Sequence, residues 1–206
     1  MKKVILIGYS GHAFVVADIF KNIGREIVGY CEKQAKDINP FHLNFLGNED
    51  ESQVQNLLAQ HEFLVAVGNN LIRRAITEKF IKQGYISSSA IHPKATISFS
   101  VIVDVGTTIM AGVVINPMVN IGKGVILNTS CVIEHECYIG DYVHIAPGAV
   151  LAGNVTIGEN SFVGANSVIK QGVTVGKNVT IGAGSVVLKN VPNDAVVYGN
   201  PARLRN

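Results

Sequence analysis

The sequence is poor in the residues that fill ordinary cores and charge ordinary surfaces. Its 206 residues contain no Trp, aromatic residues make up 7%, and Asp, Glu, Lys and Arg make up only 16%. Because hydrophobic residues still account for 48%, a disordered chain is excluded, since disorder needs low hydrophobicity and high charge. The formal net charge of +2 offers no basic surplus to neutralise phosphates, so we expect no nucleic-acid partner.

Cysteines and long apolar runs are scarce as well. Three Cys in 206 residues cannot form a disulfide framework, which favours a reducing, cytoplasmic setting. The first apolar run, from Val4 to Ile7, is too short for a signal peptide and indicates a strand. No stretch approaches the roughly 18 apolar residues of a membrane span, so we expect no membrane as a partner. Gly, in contrast, is abundant, with 21 residues.

Strand-like and helix-like segments alternate over residues 1–88. The pattern predicts strands at 3–8, 26–31 and 62–68, followed by helices at 13–24, 53–60 and 70–84. Ser10 is placed to cap the first helix, and Gly24 to end it. This alternation with short loops indicates an α/β domain with a parallel, Rossmann-like sheet.

The second half of the chain is a strict six-residue repeat. Every sixth residue from Ile91 to Val187 is Ile, Leu or Val, and the residues four positions after each are small or β-branched. A period of six fits neither a helix nor an ordinary strand, but it resembles the hexapeptide-repeat, left-handed parallel β-helix, in which about 18 residues close one triangular coil. We therefore expect an all-β solenoid at 89–190 and a C-terminal tail at 191–206. Such a narrow prism explains the scarcity of aromatics, and Cys131 and Cys137 fall on its small inward row as core residues.

One charged cluster stands out in this solenoid, which otherwise has few charged residues. Only nine of the 97 residues from 91 to 187 are Asp, Glu, Lys or Arg, yet Glu134 and Glu136 both flank His135. A carboxylate bonded to one ring nitrogen fixes the tautomer and raises the basicity of an imidazole, as a general base requires. The alternative is a solvated turn that carries a His by chance.

The surroundings of His135 suggest a site shared between protomers. His144 follows nine residues later, which places it on another part of the triangle, so we expect a groove between the subunits of a trimer to unite the two. Gly153 lies one coil above His135 and is expected to leave open space over it. No metal is expected, because the solenoid His residues lack the five-residue spacing of the zinc site in γ-class carbonic anhydrases, which share this solenoid.

Three loops converge on one edge of the predicted sheet. The segment Gly8–His12 offers backbone N–H groups at a helix N-terminus, a ready anion site, although it lacks the G-x-G-x-x-G spacing of dinucleotide-binding proteins. Glu32 and Lys33 end the second strand, and Gly68 ends the third. Together these loops make a nucleotide site plausible.

Four motifs combine into a family resemblance that covers essentially the whole chain: GYSGH at 8–12, VGNNLIR at 67–73, NTSCVIEHEC at 128–137 and YGNPA at 198–202. They resemble the sialic-acid O-acetyltransferase/sugar N-acetyltransferase family, and within it the bacterial UDP-amino-sugar N-acetyltransferases of bacillosamine synthesis. The resemblance implies acetyl-CoA as donor, the C4 amine of a UDP-4-amino-4,6-dideoxy sugar as acceptor, and a homotrimer.

The resemblance also implies roles for individual residues. His135 would be the general base, with Glu136 raising its basicity. The acetyl-CoA contacts would be His144 and the backbone near Gly153, Ala165 and Ala183. The UDP-sugar would be held by Ser10, Gly11 and His12, with Glu32, Lys33 and Gly68 nearby. The pair Glu32–Lys33 departs from the acidic pair usual in the family, which leaves the uridine contacts open.

Three alternatives remain at this point. An O-acetyltransferase acting on a sugar or sialic-acid hydroxyl would use the same fold, donor and base. A non-catalytic scaffold solenoid would leave the Glu134–Glu136 cluster without a role. An NAD-binding redox module in the first domain would lack its usual glycine motif.

Overall fold

The computed structural model describes residues 2–205 and divides into two compact units, Met1–Pro93 and Lys94–Asn206. We describe each unit by itself. The strands and helices of the first unit alternate, as the sequence predicts. In chain order they are β1 (Val4–Ile7), α1 (Gly11–Asn22), β2 (Ile27–Cys31), β3 (Phe45–Gly47), α2 (Ser52–Leu58), β4 (Glu62–Val65), α3 (Asn70–Lys82) and a short strand, Ala90–Ile91.

The sheet of the first unit is parallel, with strand order β3-β2-β1-β4. All four residues of β1 are buried, and α1 packs an apolar stripe inward that includes Ala13, Val16 and Phe20. Two details differ from expectation. Strand β3 was not predicted, because three residues among polar neighbours carry no period. Ser10 occupies the N-cap of α1, but its side chain makes no capping hydrogen bond.

The strand order places a switch point between β1 and β4. The chain moves outward in one direction through β2 and β3 and then returns to the other side of β1. In open α/β sheets, ligands bind at the carboxyl ends of the strands beside such a point. The loops after β1 and β4 both lie there.

The second unit is the predicted left-handed β-helix, built from two-residue strands stacked in three parallel sheets. We call the first sheet the valine face; its strands are Thr96–Ile97, Val114–Ile115, Val132–Ile133, Val150–Leu151, Val168–Ile169 and Val186–Val187. The polar face contains Ile102–Val103, Asn120–Ile121, Tyr138–Ile139, Thr156–Ile157 and Thr174–Val175. The histidine face contains Thr108–Ile109, Ile126–Leu127, His144–Ile145, Phe162–Val163, Thr180–Ile181 and Val196–Tyr198.

Both rows of the repeat point into the prism. The second residue of each strand from Ile109 to Val187 is buried, and so are the small residues from Thr107 to Ser185 that the sequence places four positions later. The buried hydroxyls do not go unpaired: Ser161 Oγ donates to the carbonyl of Gly176 at 2.8 Å and Ser167 Oγ to that of Gly182 at 2.9 Å. Cys137 Sγ makes the equivalent contact with the carbonyl of Ala152 at 3.3 Å, and burial raises the pKa of the Cys131 thiol to about 12. These thiols therefore act as core residues.

The turns contain a third row of residues. Fourteen positions, every sixth residue from Gly106 to Gly184, have positive φ, and ten of them are Gly or Asn, which tolerate that conformation best. The four exceptions are Met118, Ser130, Glu136 and Tyr142. For other L residues this backbone conformation is unfavourable in free energy. Each of the four exceptions therefore needs a local interaction that offsets the strain.

Residues 191–205 continue the solenoid. Val196–Tyr198 pairs in parallel with Thr180–Ile181. The chain then turns back, and Arg203–Leu204 pairs antiparallel with Val196–Tyr198. No helix among residues 2–205 is both long and apolar enough to cross a membrane.

Candidate active site

His135 lies on a corner of the prism, between the valine face and the polar face. We call residues 134–137, with their counterparts 116–119 one coil before and 152–155 one coil after, the His135 corner. The stacking is direct, since Glu136 N donates to the carbonyl of Pro117 at 3.1 Å and Asn154 N to that of His135 at 2.8 Å. The side chains of His135 and Glu136 remain 51% and 54% exposed, so both are open to a ligand.

The ring of His135 is held by Glu136. His135 Nδ1 lies 3.0 Å from Glu136 Oε2. An ionised carboxylate can only accept, so Nδ1 carries the proton and donates it, which leaves the lone pair on Nε2. The geometry thus prepares Nε2 to take a proton from a reactant.

The two carboxylates of the cluster have different tasks. Glu134 Oε2 accepts a hydrogen bond from Asn116 Nδ2 at 2.8 Å, one coil below, and so ties neighbouring coils together. Glu136 is the carboxylate hydrogen-bonded to the imidazole. From the sequence, either carboxylate could have held the ring.

Gly153 does not leave the space over His135 open, and that expectation is wrong. The imidazole lies against Gly153: a Cβ added there would fall 2.5 Å from His135 Cε1 and 2.6 Å from Nε2. The observed placement of the ring requires glycine at 153, because the ring occupies the space of a side chain. The ring is therefore positioned twice, by Glu136 at its edge and by the Gly153 backbone at its face.

Glu136 is one of the four residues other than Gly and Asn that have positive φ in these turns, with φ 61°. We expect Glu136→Asn to stabilise the fold by about 1 kcal/mol, because Asn is tolerated in this region and already occupies the equivalent turn at Asn154. The same change should lower kcat, by no more than the about 10²–10⁴-fold that loss of the base itself would cost, because the ring loses its carboxylate. Thermal unfolding and steady-state kinetics test both effects.

Two matched variants isolate the causes. Met118→Asn changes the same turn one coil earlier, at φ 64°, and should raise stability while the carboxylate of Glu136 stays in place. Glu136→Gln keeps the strained backbone and should lower activity without the gain in stability. If the Glu136→Asn variant were fully active, Glu136 would not serve the ring.

His144 begins a strand of the histidine face, away from the His135 corner. Its Nε2 lies 3.1 Å from Asn128 Nδ2, and its ring meets the Phe162 ring edge-on, with centroids 5.1 Å apart. Ala165 and Ala183 follow strands of the same face, on the corner that leads to the valine face. Within the chain, the valine face separates these three residues from His135 and Gly153.

The predicted nucleotide loops meet at the carboxyl edge of the first unit. Ser10 and Gly11 begin α1 at the end of β1, and a Cβ at Gly11 or Gly68 would meet no atom within 4 Å. Glu32 already has partners at this edge: its Oε1 accepts a hydrogen bond from the N–H of Tyr9 at 3.0 Å and lies 3.4 Å from Lys36 Nζ. Lys33 is exposed beside it, and His12 lies half-buried in the first turn of α1.

Comparisons with known proteins agree with this architecture along the whole chain. Residues 3–80 match the PglD N-terminal domain, residues 118–153 match the bacterial transferase hexapeptide, and residues 154–189 match the hexapeptide repeat of succinyl-transferase. The acetyltransferase domain of PglB from Neisseria gonorrhoeae FA1090, solved with acetyl coenzyme A, is 36% identical, with a TM-score of 0.92 over 99% of both chains.

The chain belongs to the hexapeptide-repeat sugar N-acetyltransferases. A variant of perosamine N-acetyltransferase from Caulobacter crescentus, solved with CoA and GDP-perosamine, is 30% identical, with a TM-score of 0.94 over 100% of this chain and 98% of that one. UDP-N-acetylbacillosamine N-acetyltransferase of Bacillus subtilis (strain 168) is 32% identical over 115 residues, which span 54% of this chain and about half, 52%, of that protein.

Two contacts of this acetyltransferase were not predicted from the sequence: that of Asn116 with Glu134, and that of Asn128, the first residue of the motif NTSCVIEHEC, with His144. An offset of 18 residues, one coil, separates the first pair and was readable from the repeat. The 16-residue offset of the second pair follows no row, so only the structure finds it. The described part of the chain, 2–205, contains no group of three or more His, Cys, Asp or Glu arranged to hold a metal ion.

Proposed function

We propose that the chain transfers the acetyl group of acetyl-CoA directly to the C4 amine of a UDP-4-amino-4,6-dideoxy-N-acetyl sugar. The observation that carries the proposal is the exposed His135, fixed by Glu136 and Gly153, in a chain that matches sugar N-acetyltransferases over its full length. Structural neighbours contain CoA or acetyl-CoA, and two of them are variants in which a His is replaced.

The proposed chemistry needs no covalent intermediate. The thioester is already activated, so the protein must place the amine against it and remove a proton as the new C–N bond forms. His135 Nε2 takes that proton, and the positive charge that develops on the ring is stabilised by Glu136 at Nδ1. A backbone N–H of the solenoid, near Gly153, Ala165 or Ala183, stabilises the oxyanion before CoA thiolate leaves.

In this proposal the first unit binds the nucleotide. The diphosphate binds the backbone at Ser10, Gly11 and His12, and the nucleoside lies near Glu32, Lys33 and Gly68. A UDP-sugar is supported by the Bacillus relative, while the Caulobacter relative binds a GDP-sugar. The three cysteines are free and buried, which supports a reducing compartment such as the cytoplasm.

A homotrimer completes the proposed site. The outward residues of the valine face form an apolar stripe: Val114, Val132, Val150, Val168 and Val186. The polar face has mainly Asn, Tyr and Thr at the equivalent positions. A second copy packed on the valine face would remove this stripe from water and bring the His144 side of one protomer to the His135 corner of another.

Val168→Asp tests the trimer. Val168 points outward and is 41% exposed, so a charge there is tolerated in a single protomer but is costly in an interface. We expect the variant to elute as a monomer with little activity in gel filtration with light scattering. Thr174→Asp, at an exposed outward position of the polar face, should remain trimeric and active. A wild-type monomer with full activity would contradict the proposal.

The activity is tested by release of CoA thiol from acetyl-CoA. The acceptor panel should contain UDP- and GDP-linked 4-amino-4,6-dideoxy sugars, together with the matching 4-hydroxy sugars. We expect thiol release with a UDP-linked amine and none with a hydroxyl. Release only with a hydroxyl sugar would indicate O-acetylation. If none of the sugars in the panel led to thiol release, the proposed function would be overturned.

A further inference from the structure

A buried arginine anchors the loops of the proposed nucleotide site. Arg73 of α3 is 1% exposed and points back towards the carboxyl edge of the sheet. Its Nη1 donates to the carbonyls of Val67 and Gly68, at 3.2 and 3.1 Å, and its Nη2 donates to Asn70 Oδ1 at 2.9 Å. One side chain thus binds both halves of the loop 67–70.

The planar guanidinium is suited to this task. Its donors are fixed in one plane, so three acceptors bound together must keep a single arrangement. The same loop is fixed at its helical end by Asn69, whose Oδ1 accepts from the N–H of Ile72 at 3.1 Å. With its carbonyls bound inward by Arg73, the open side of the loop at Gly68 remains clear for a ligand.

The arrangement extends from this loop to the other two. The Val67 side chain lies against Gly8, where an added Cβ would fall 2.7 Å from Val67 Cγ2. Gly8 begins the turn that leads to Ser10, and its N–H donates to the carbonyl of Cys31 at 2.9 Å. The next residue, Tyr9, donates its N–H to Glu32. Val67 thus connects the loop 67–70 to the turn after β1, and that turn is hydrogen-bonded to the residues at the end of β2.

We propose that Arg73 is a positioning residue for nucleotide binding, because its guanidinium fixes the loop 67–70 and, through Val67 and Gly8, the phosphate-binding turn. The inference rests on the proposed function for the identity of the ligand. It predicts that loss of the three-way contact weakens nucleotide binding selectively and leaves the acetyl-transfer chemistry on the solenoid intact.

Two variants of Arg73 and one matched control test this role. Arg73→Met removes both the charge and the contacts, whereas Arg73→Lys keeps the charge but loses the planar fork. Arg74→Met removes the neighbouring arginine of the same helix, which is partly exposed and binds Glu78 at 2.9 Å. Steady-state kinetics for each substrate and calorimetric titration with UDP and with GDP are measured for every protein, together with thermal unfolding.

We expect both Arg73 variants to raise the KM for the nucleotide sugar and the Kd for the nucleoside diphosphate about tenfold or more. The kcat and the KM for acetyl-CoA should change by no more than about twofold, and Arg74→Met should match the wild type. If Arg73→Met does not fold, Arg73→Lys alone decides the outcome.

Several results would overturn the role of Arg73. These are unchanged nucleotide affinity in a folded Arg73 variant, full rescue by Lys, or equal losses for both substrates. A wild-type chain that binds neither UDP nor GDP would also overturn it. If the wild-type chain binds a nucleoside diphosphate with an affinity that depends on Arg73 but releases no CoA thiol, the proposed function alone is overturned.

Discussion

Replacement of His135 by Ala is expected to lower kcat by about 10²–10⁴-fold, the usual contribution of a positioned general base. The imidazole is half-exposed on a corner and lies against the backbone of Gly153, outside the solenoid core. The variant should therefore unfold at the same temperature as the wild type. Thiol-release kinetics at saturating substrates measure the loss.

A second histidine provides the control. His61 precedes β4, at the amino end of the parallel strands, which is the edge of the sheet opposite to the proposed loops. His61→Ala should leave kcat unchanged. If His135→Ala retained more than about half of the wild-type activity, His135 would not be the base.

Gly153→Ala should lower kcat by roughly 10- to 100-fold, because a misplacement of about 1 Å at a catalytic group costs this much. The new methyl would overlap the ring of His135, which must swing away and lose its geometry with Glu136. Stability should change little, since the atoms that move belong to the end of an exposed side chain. The Gly153 backbone has no positive φ, so Ala is not strained there.

The double variant Gly153→Ala/His135→Ala shows whether Gly153 acts through the ring. If it does, the double variant should be no slower than His135→Ala, because the ring is already absent. If the two losses multiply and the KM for acetyl-CoA rises, Gly153 instead serves acetyl-CoA directly. The kinetic cycle thus distinguishes positioning of the His135 ring from direct contact between Gly153 and acetyl-CoA.

Most of the fold could be predicted because it is periodic. A strict period of six fills the prism with aliphatic and small residues, and strand–helix alternation over a short span implies parallel pairing. Strand β3 escaped prediction because it has no period: Phe45 is exposed and pairs with Tyr30 of β2 at the edge of the sheet. The positive-φ row was legible as Gly and Asn at every sixth position, and it would have marked Glu136 as an exception.

The site was less predictable because its contacts cross coils and loops. The sequence places Gly153 one coil above His135, but it does not show whether the space between them is empty or filled by the ring. It likewise includes Arg73 in the motif VGNNLIR, but the motif does not reveal that the side chain turns inward to bind three acceptors. Side-chain direction and packing decide both cases.

The stacking of coils also fixes the distances between residues along the solenoid. Neighbouring coils are about 4.8 Å apart, the spacing of hydrogen-bonded strands, so distances along the prism come only in multiples of one coil. The column above His135 passes through Gly153 and Gln171 and reaches Lys189 three coils later, roughly 14 Å away. Insertion or loss of a whole coil would change that length by one fixed step and leave every inward row in register. The number of coils beyond His135 therefore sets the length of the prism surface that extends from this residue.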